Sequence, residues 1–388
     1  MHWHPWEPFG DGFWAVTRHA DVVRVSKDHE TFSSARGHVA LWDLPPDALE
    51  ARRSLIETDP PEHHRLRRII SPLFTPRAVQ AYGDYARHLA GSLLDAAIPR
   101  GEFDWVIDVA QPLPIRVLIS ILGVPEEDAP RMIHLSNQMI ATDDPDYAPP
   151  AESYEGIDAR LLPFGSPAAL EVFEYGRRIR DDRLAHPRDD LVTRIVNAEV
   201  DGERLTDQEY VNFFQLLILA GNETTRTTIS QGMLAFIQHP GQLDRLATGD
   251  DALWTTAIEE VLRWATPVVY MRRTAMRDHE LHGRAIAKGD KVVLWYLSAN
   301  YDEEAFADPH RFDVGRQTNP QHAAFGGGGI HFCLGAYLAR LQMRILFEEV
   351  VKRDLRLELT DEPRRIRSNF VNGLKSMPVR VVRGRALG

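Results

Sequence analysis

The chain carries one cysteine, Cys333, among 388 residues. A single cysteine excludes an internal disulfide, a cysteine-held iron–sulfur cluster and a cysteine-rich zinc site, and it suits a cytoplasmic location. Positive charge is also in short supply. Lys and Arg number 45 against 56 Asp and Glu, leaving a formal net charge of -11 and a pI near 5.8. That balance argues against general affinity for nucleic acid or anionic membrane surfaces. No apolar run is long enough to span a bilayer, the richest being Phe213 to Ala220. The opening residues Met1-His2-Trp3-His4-Pro5 have neither the basic start nor the apolar core of a signal peptide. Repeats and low-complexity tracts are missing. No GxGxxG fingerprint stands in a strand-to-helix context, so no flavin or nicotinamide domain is built in.

What is present is a chain that is 44% hydrophobic, enough for a sizeable core, with no compositional boundary. Residues 1–388 therefore read as one domain. Phe13 to Val16 reads as a strand and Ala20 to Ser26 as a helix. Ser33 to Glu57 lacks steady periodicity. Asp59-Pro60-Pro61-Glu62 opens a helix that carries His63, Arg67 and Ile70 on one face. Amphipathic helices follow between Pro76 and Ala185, broken by Pro-, Asp- and Gly-rich loops at Thr142 to Pro150 and near Pro163 to Pro167. Asp207 to about Ile237 reads as one long, mostly apolar helix. With short strands near Val292 to Trp295 and near both ends, the expected class is α+β, predominantly helical with small sheets.

Cys333 ends the run Phe325-Gly326-Gly327-Gly328-Gly329-Ile330-His331-Phe332-Cys333-Leu334-Gly335, ahead of a predicted helix. A lone cysteine is most often a small buried hydrophobe. Here four glycines are expected to let the backbone pass close to a flat ligand and to turn amide N–H groups toward the sulfur. Those donors, with the positive end of the next helix, favour a thiolate. One thiolate and no second cysteine fits a haem iron, and axial thiolate ligation favours O–O cleavage.

Leu219 to Arg226 (LAGNETTR), Glu260-Val261-Leu262-Arg263, Phe312-Asp313-Val314-Gly315-Arg316 and the Cys333 loop occur in that order. By these motifs the chain resembles a bacterial cytochrome P-450, a haem-thiolate monooxygenase, from about Phe13 to Val382. The resemblance implies haem b (iron protoporphyrin IX) with Cys333 as the metal ligand. It implies a catalytic pair, Glu223 and Thr224, beside a local widening of the long helix, where a carboxylate relays protons and a hydroxyl holds water. Ala220 and Gly221 are small enough to leave room there. The bland alternative is a Glu on a solvated face and a Thr bonded back to its own helix.

His63, Arg67, Arg273 and His331 fall where the family binds the haem propionates, which need guanidinium or imidazole donors. Phe325 and Gly335 flank Cys333 in the haem loop, and Ala220 lies over the cofactor. Glu260, Arg263 and Arg316 resemble the family's buried charge triad, a structural element. Leu216, Val268, Val269 and Phe370 fall where the family lines its substrate pocket. Electrons are expected from a separate ferredoxin and NAD(P)H-dependent ferredoxin reductase. Arg65, Arg68, Arg340 and Arg344 would form a basic docking patch for an acidic ferredoxin, or a merely solvated face. The implied reaction inserts one atom of dioxygen into an unactivated C–H bond of a hydrophobic small molecule.

Phe325 and Cys333 stand eight positions apart, one more than in most members. The extra glycine is similar to a branch that oxidises methyl-branched lipids and sterol side chains, as are Thr266 to Ala275, Lys288 to Asn300 and Asn222 to Arg226. The expected reaction is terminal (omega) hydroxylation of a methyl-branched lipid or isoprenoid, with steroid, sterol or terpene hydroxylation as the alternative. A haem-binding sensor or carrier without oxygenase activity is the alternative from another class. A structural metal site using His331 and Cys333 lacks further ligands at suitable spacing. The N-terminus is short relative to the family.

Overall fold

Thr206 opens the longest helix, Asp207–Gln238, with a capping box: its hydroxyl accepts from Glu209 N–H, and the Glu209 carboxylate accepts from Thr206 N–H. Pro240, just past the final turn, begins the next helix, Pro240–Ala247. Between these ends the helix is buried on nearly every side, through Phe214, Ile218, Ile229, Met233 and Phe236. It is therefore a central strut rather than an amphipathic surface helix. Helices Pro112–Leu122, Ala129–Ile140, Ala168–Ala185 and Asp251–Ala265 pack against it.

The computed structural model describes residues 1–5, 12–200 and 202–387. Helices dominate and the sheets are small, as expected. The largest sheet has five strands in the order His2–His4, Phe13–Val16, Lys291–Trp295, Tyr270–Ala275, Phe32–Ser33. Only Phe13–Val16 and Lys291–Trp295 run parallel. Valines in the latter, Val292 and Val293, are fully buried on opposite faces of the pleat. Among the described residues no helix is long and apolar enough to cross a membrane.

The strand Phe13–Val16 and the helices His19–Lys27 and Glu62–Ile70 match the sequence reading. In the stretch without periodicity the structure holds a short helix, Pro46–Arg52, and a 3-10 turn, Leu55–Glu57. Seven residues make two turns, too few for an apolar face to repeat. That helix rests on another irregular segment, the 3-10 turn Ala159–Leu161. Two loops poor in pattern thus support each other.

Candidate functional site

Cys333 lies where the loop from Phe325 turns into the helix Ala336–Lys352. Its N–H donates to Phe325 O at 3.1 Å, which closes the loop, and Gly335 N–H reaches its sulfur. Gly326 to Gly329 all have positive φ, at 97°, 71°, 103° and 75°, a region in which a side chain is strained. Two of them also approach protein closely. A Cβ at Gly329 would overlap Ser26 O, and one at Gly327 would stand 2.9 Å from Ser26 Oγ. The glycine run lets the loop pack onto the last turn of His19–Lys27.

The sulfur is accessible and yet enclosed by protein. Burial pushes the thiol pKa up, and Gly335 N–H with the Arg67 and Arg340 guanidiniums oppose this only in part. Accessible surface deep in a protein marks an internal opening rather than bulk solvent. Ala220 has the same character: it is exposed, while Leu217, Ile218, Leu219, Asn222 and Glu223 around it are buried. Leu216, Ala220 and Thr224, four residues apart, form one stripe of the long helix, and all three keep accessible surface.

A group of unsatisfied donors lies beside the cysteine loop. His63 is 1% exposed, and neither ring nitrogen has a hydrogen-bond partner among the described residues. The ring of His331 sits 4.5 Å from it, with Nε2 likewise unpartnered. Arg67 Nη2 donates to Phe332 O at 2.7 Å, next to Cys333. Arg273 is buried, donates to Arg272 O at 2.9 Å and meets the Tyr296 hydroxyl. Burial, then Arg67, lowers the His63 pKa to about 4; burial, then Arg273 and His63, lowers that of His331 to about 2. His29, not singled out from sequence, is close enough to perturb both. This cluster is rich in donors and poor in acceptors, an arrangement too costly to leave unfilled. It fits the carboxylates of a porphyrin, with Cys333 beside it as the one available sulfur. Among the described residues no group of three or more His, Cys, Asp or Glu could hold a metal ion.

Glu223 and Thr224, adjacent in sequence, point to different surroundings. The Thr224 hydroxyl donates to Ala220 O at 2.8 Å, an i−4 contact that leaves its lone pairs toward the opening. The helix is continuous here, without a change of hydrogen-bond class. Glu223 is buried against Ala129–Ile140, where it accepts from Arg226 Nη2, from Asn222 Nδ2 at 3.3 Å and from Ser136 Oγ at 3.4 Å. Burial pushes its pKa up, and Arg226 opposes that shift. Arg226 is held in turn by Asn137 Oδ1 at 2.7 Å and Gln111 Oε1 at 3.0 Å. Arg226 and Asn222 lie within the quoted motif; Ser136, Asn137 and Gln111 come from other segments of the chain.

The triad residues are brought together. Glu260 Oε2 accepts from Arg263 Nε at 2.7 Å and Arg316 Nε at 3.0 Å, and Oε1 accepts from Arg263 Nη2 at 2.9 Å and Asp313 N at 3.0 Å. Of the wall residues, Val269 N donates to Phe370 O at 2.9 Å and both side chains adjoin Leu41 and Tyr270. Phe370 and Leu216 border the main core, while Val268 packs beside Tyr296 and Ala323. Neighbouring residues of an extended segment face opposite ways.

The basic patch is largely neutralised. Arg65 pairs with Glu209, Arg344 with Asp251, and Arg340 with Glu259 at 2.6 Å. Arg340 also covers the Phe325 ring at 4.4 Å, so it serves the cysteine loop. His322 Nε2 lies 3.2 Å from Glu259, and burial pushes the His322 pKa down. Burial alone would raise the Glu259 pKa; Arg340 and His322 outweigh it and hold it near 2, below the ordinary 4.5. A depressed carboxylate adds stability that is complete above the unfolded pKa and is lost as pH falls through the folded one. Glu259→Gln is expected to remove on the order of 3 kcal/mol of stability at neutral pH. It should also flatten the fall in melting temperature between about pH 4.5 and 2. A variant with the wild-type acid limb would refute this.

Comparison with known proteins agrees with this geometry. A family model described as Cytochrome P450 matches residues 252–379. The chain is 42% identical over 374 residues to the methyl-branched lipid omega-hydroxylase of Mycobacterium tuberculosis, covering 95% of this chain and 84% of that one. It is 40% identical over 376 residues to the steroid C26-monooxygenase of Mycolicibacterium smegmatis, covering 96% and 84%. The structure of a Mycobacterium marinum cytochrome P450 in complex with pseudoionone superimposes with a TM-score of 0.86 at 41% identity, covering 97% of this chain and 91% of that one.

Proposed function

The chain belongs to the cytochrome P450 family, and from that premise we propose that it hydroxylates the terminal carbon of a methyl-branched lipid or isoprenoid. As a member it is a haem-iron monooxygenase. The observation that carries the site assignment is the donor cluster His63, Arg67, Arg273 and His331, in which the ring nitrogens of His63 and Nε2 of His331 lack partners among the described residues, adjacent to the only cysteine. We assign these four to the propionates of haem b and Cys333 to the iron, with Phe325 and Gly335 shaping the loop. When bound, the haem supplies the oxygen-activating redox chemistry.

The protein's own groups do the rest. Thr224, on the accessible stripe with Ala220, holds a water or hydroxyl-bearing ligand in place. Glu223, whose pKa burial pushes up against the pull of Arg226, relays protons by turning between Arg226 and Thr224. Leu216, Val269 and Phe370 offer apolar surface that excludes water from the substrate; Val268 stands behind the sheet edge. Electrons come from a separate ferredoxin and an NAD(P)H-dependent ferredoxin reductase, in the cytoplasm. Residues 1–388 act as one domain.

A sterol side chain is the second reading, favoured by the 40% identity to a steroid C26-monooxygenase. Thr224→Ala tests the oxygenase assignment. With ferredoxin and reductase supplied, it is expected to consume NAD(P)H while product per electron pair falls at least about tenfold, with peroxide in its place. A haem sensor or carrier would show no product in either form and no change in peroxide.

A further inference from the structure

The short helix Pro46–Arg52 ends in an arginine that is 5% exposed. Arg52 Nη2 donates to Ala159 O at 3.1 Å, but Nε and Nη1 are buried with no partner among the described residues. A guanidinium offers five donors, and leaving them unpaired away from water is costly. Two carboxylates stand near without bonding it. Asp158 is held by Arg160 Nε at 2.9 Å, and Glu57 faces Ser54 Oγ at 3.3 Å and His38 Nε2 at 3.5 Å. Burial pushes Glu57 up to about 7 and His38 down to about 3. Glu57 and Asp158 act on Arg52 as nearby charges, but neither hydrogen-bonds its Nε or Nη1.

The setting connects this guanidinium to the substrate side. A Cβ on Gly165 would lie 4.0 Å from Arg52 Nη2. The adjoining Phe164 adopts φ 56° and brings its ring to 6.3 Å from Phe370. Phe164, Phe370 and Leu216 border the same apolar core. The end of Pro46–Arg52 and the turn Pro163–Gly165 thus bring a charged donor near an apolar wall, the pattern that suits an extended chain with an anionic end.

We propose that Arg52 binds the carboxylate of the substrate at the end remote from the hydroxylated carbon, so that the substrate is a free methyl-branched fatty acid rather than an ester or a neutral sterol ketone. This rests on the proposed function and narrows it. The test titrates ferric holoenzyme with phytanic acid, its methyl ester and cholestenone, following the Soret spin-state shift in wild type, Arg52→Met and Arg52→Lys. The wild type is expected to bind the acid at least about tenfold tighter than the ester, as a charge-assisted hydrogen bond allows. Arg52→Met should bring the acid down to the ester's level with the ester unchanged, and Arg52→Lys should recover part of the difference.

Equal binding of acid and ester by the wild type would overturn the proposal, as would an equal loss of both in Arg52→Met, which marks a purely structural role through Ala159. A shift with cholestenone and none with the acid would overturn it too. If Arg52→Met fails to take up haem, the wild-type acid-to-ester ratio decides alone. Failure of the underlying reading is distinct: the wild type would then lack a thiolate-type carbon monoxide spectrum altogether.

Discussion

Cys333→Ser is expected to abolish hydroxylation and to remove the red-shifted carbon monoxide band that thiolate ligation gives. The reason is one of inventory as much as of chemistry. No other cysteine exists in the chain to take its place, and a serine hydroxyl is not deprotonated at neutral pH under the conditions that ionise a metal-bound thiol. The loop should survive the change, because Cys333 N–H, not its sulfur, closes it onto Phe325 O. The four donors assigned to the propionates are also untouched. The expected variant is folded and able to hold haem, and inert. Retained turnover, or an unshifted carbon monoxide band in the wild type, would sink the assignment of Cys333.

Glu260→Ala should have the largest effect on stability. Its carboxylate takes four donors, and without it Arg263, only 1% exposed, loses both of its carboxylate contacts. Stranding a buried charge costs about 3 to 5 kcal/mol. Against the ~5 to 15 kcal/mol by which folded proteins are ordinarily stable, that is a large share. The damage should reach the cysteine loop. Arg263 Nη1 also donates to Asn300 O at 2.8 Å and Pro309 O at 2.9 Å, and Arg316 Nη2 to Arg311 O at 2.6 Å, so the triad organises the chain leading into that loop. Urea unfolding and haem content of the purified variant are the measurements. A variant within about 1 kcal/mol of wild type and fully loaded with haem would show that Glu260 has no such role.

The contrast between Glu260 and Glu223 supports the different roles proposed for two glutamates with the same i,i+3 arginine. Both sit inside a helix and both are buried. Glu260 has four close donors. Glu223 has Arg226 and two contacts at the long end of hydrogen bonding, from Ser136 and Asn222, and burial pushes its pKa up. A carboxylate poorly satisfied in its ionised form is the one suited to exchanging protons.

Which features could be read in advance follows from how far apart their determinants lie. The long helix was legible because its cap, its apolar length and its terminating proline are contiguous. The cysteine loop was legible because one unusual residue sits in one unusual local run. The helix Pro46–Arg52 was not, being too short to show a period and dependent on a turn more than a hundred residues away.

Local order along the chain was enough to establish a single thiol and the family motifs, and to single out Glu260, Arg263 and Arg316 and the donors His63, Arg67, Arg273 and His331, since each rests on residue type and near spacing. Folding was needed for everything that depends on who meets whom. It brought Gly327 and Gly329 against Ser26. It gave Glu223 a partner from another helix, Ser136, took Arg340 for Glu259, and left two Arg52 nitrogens without a partner among the described residues. Those outcomes are set by burial and by contacts between distant segments, and a linear reading carries no information about either.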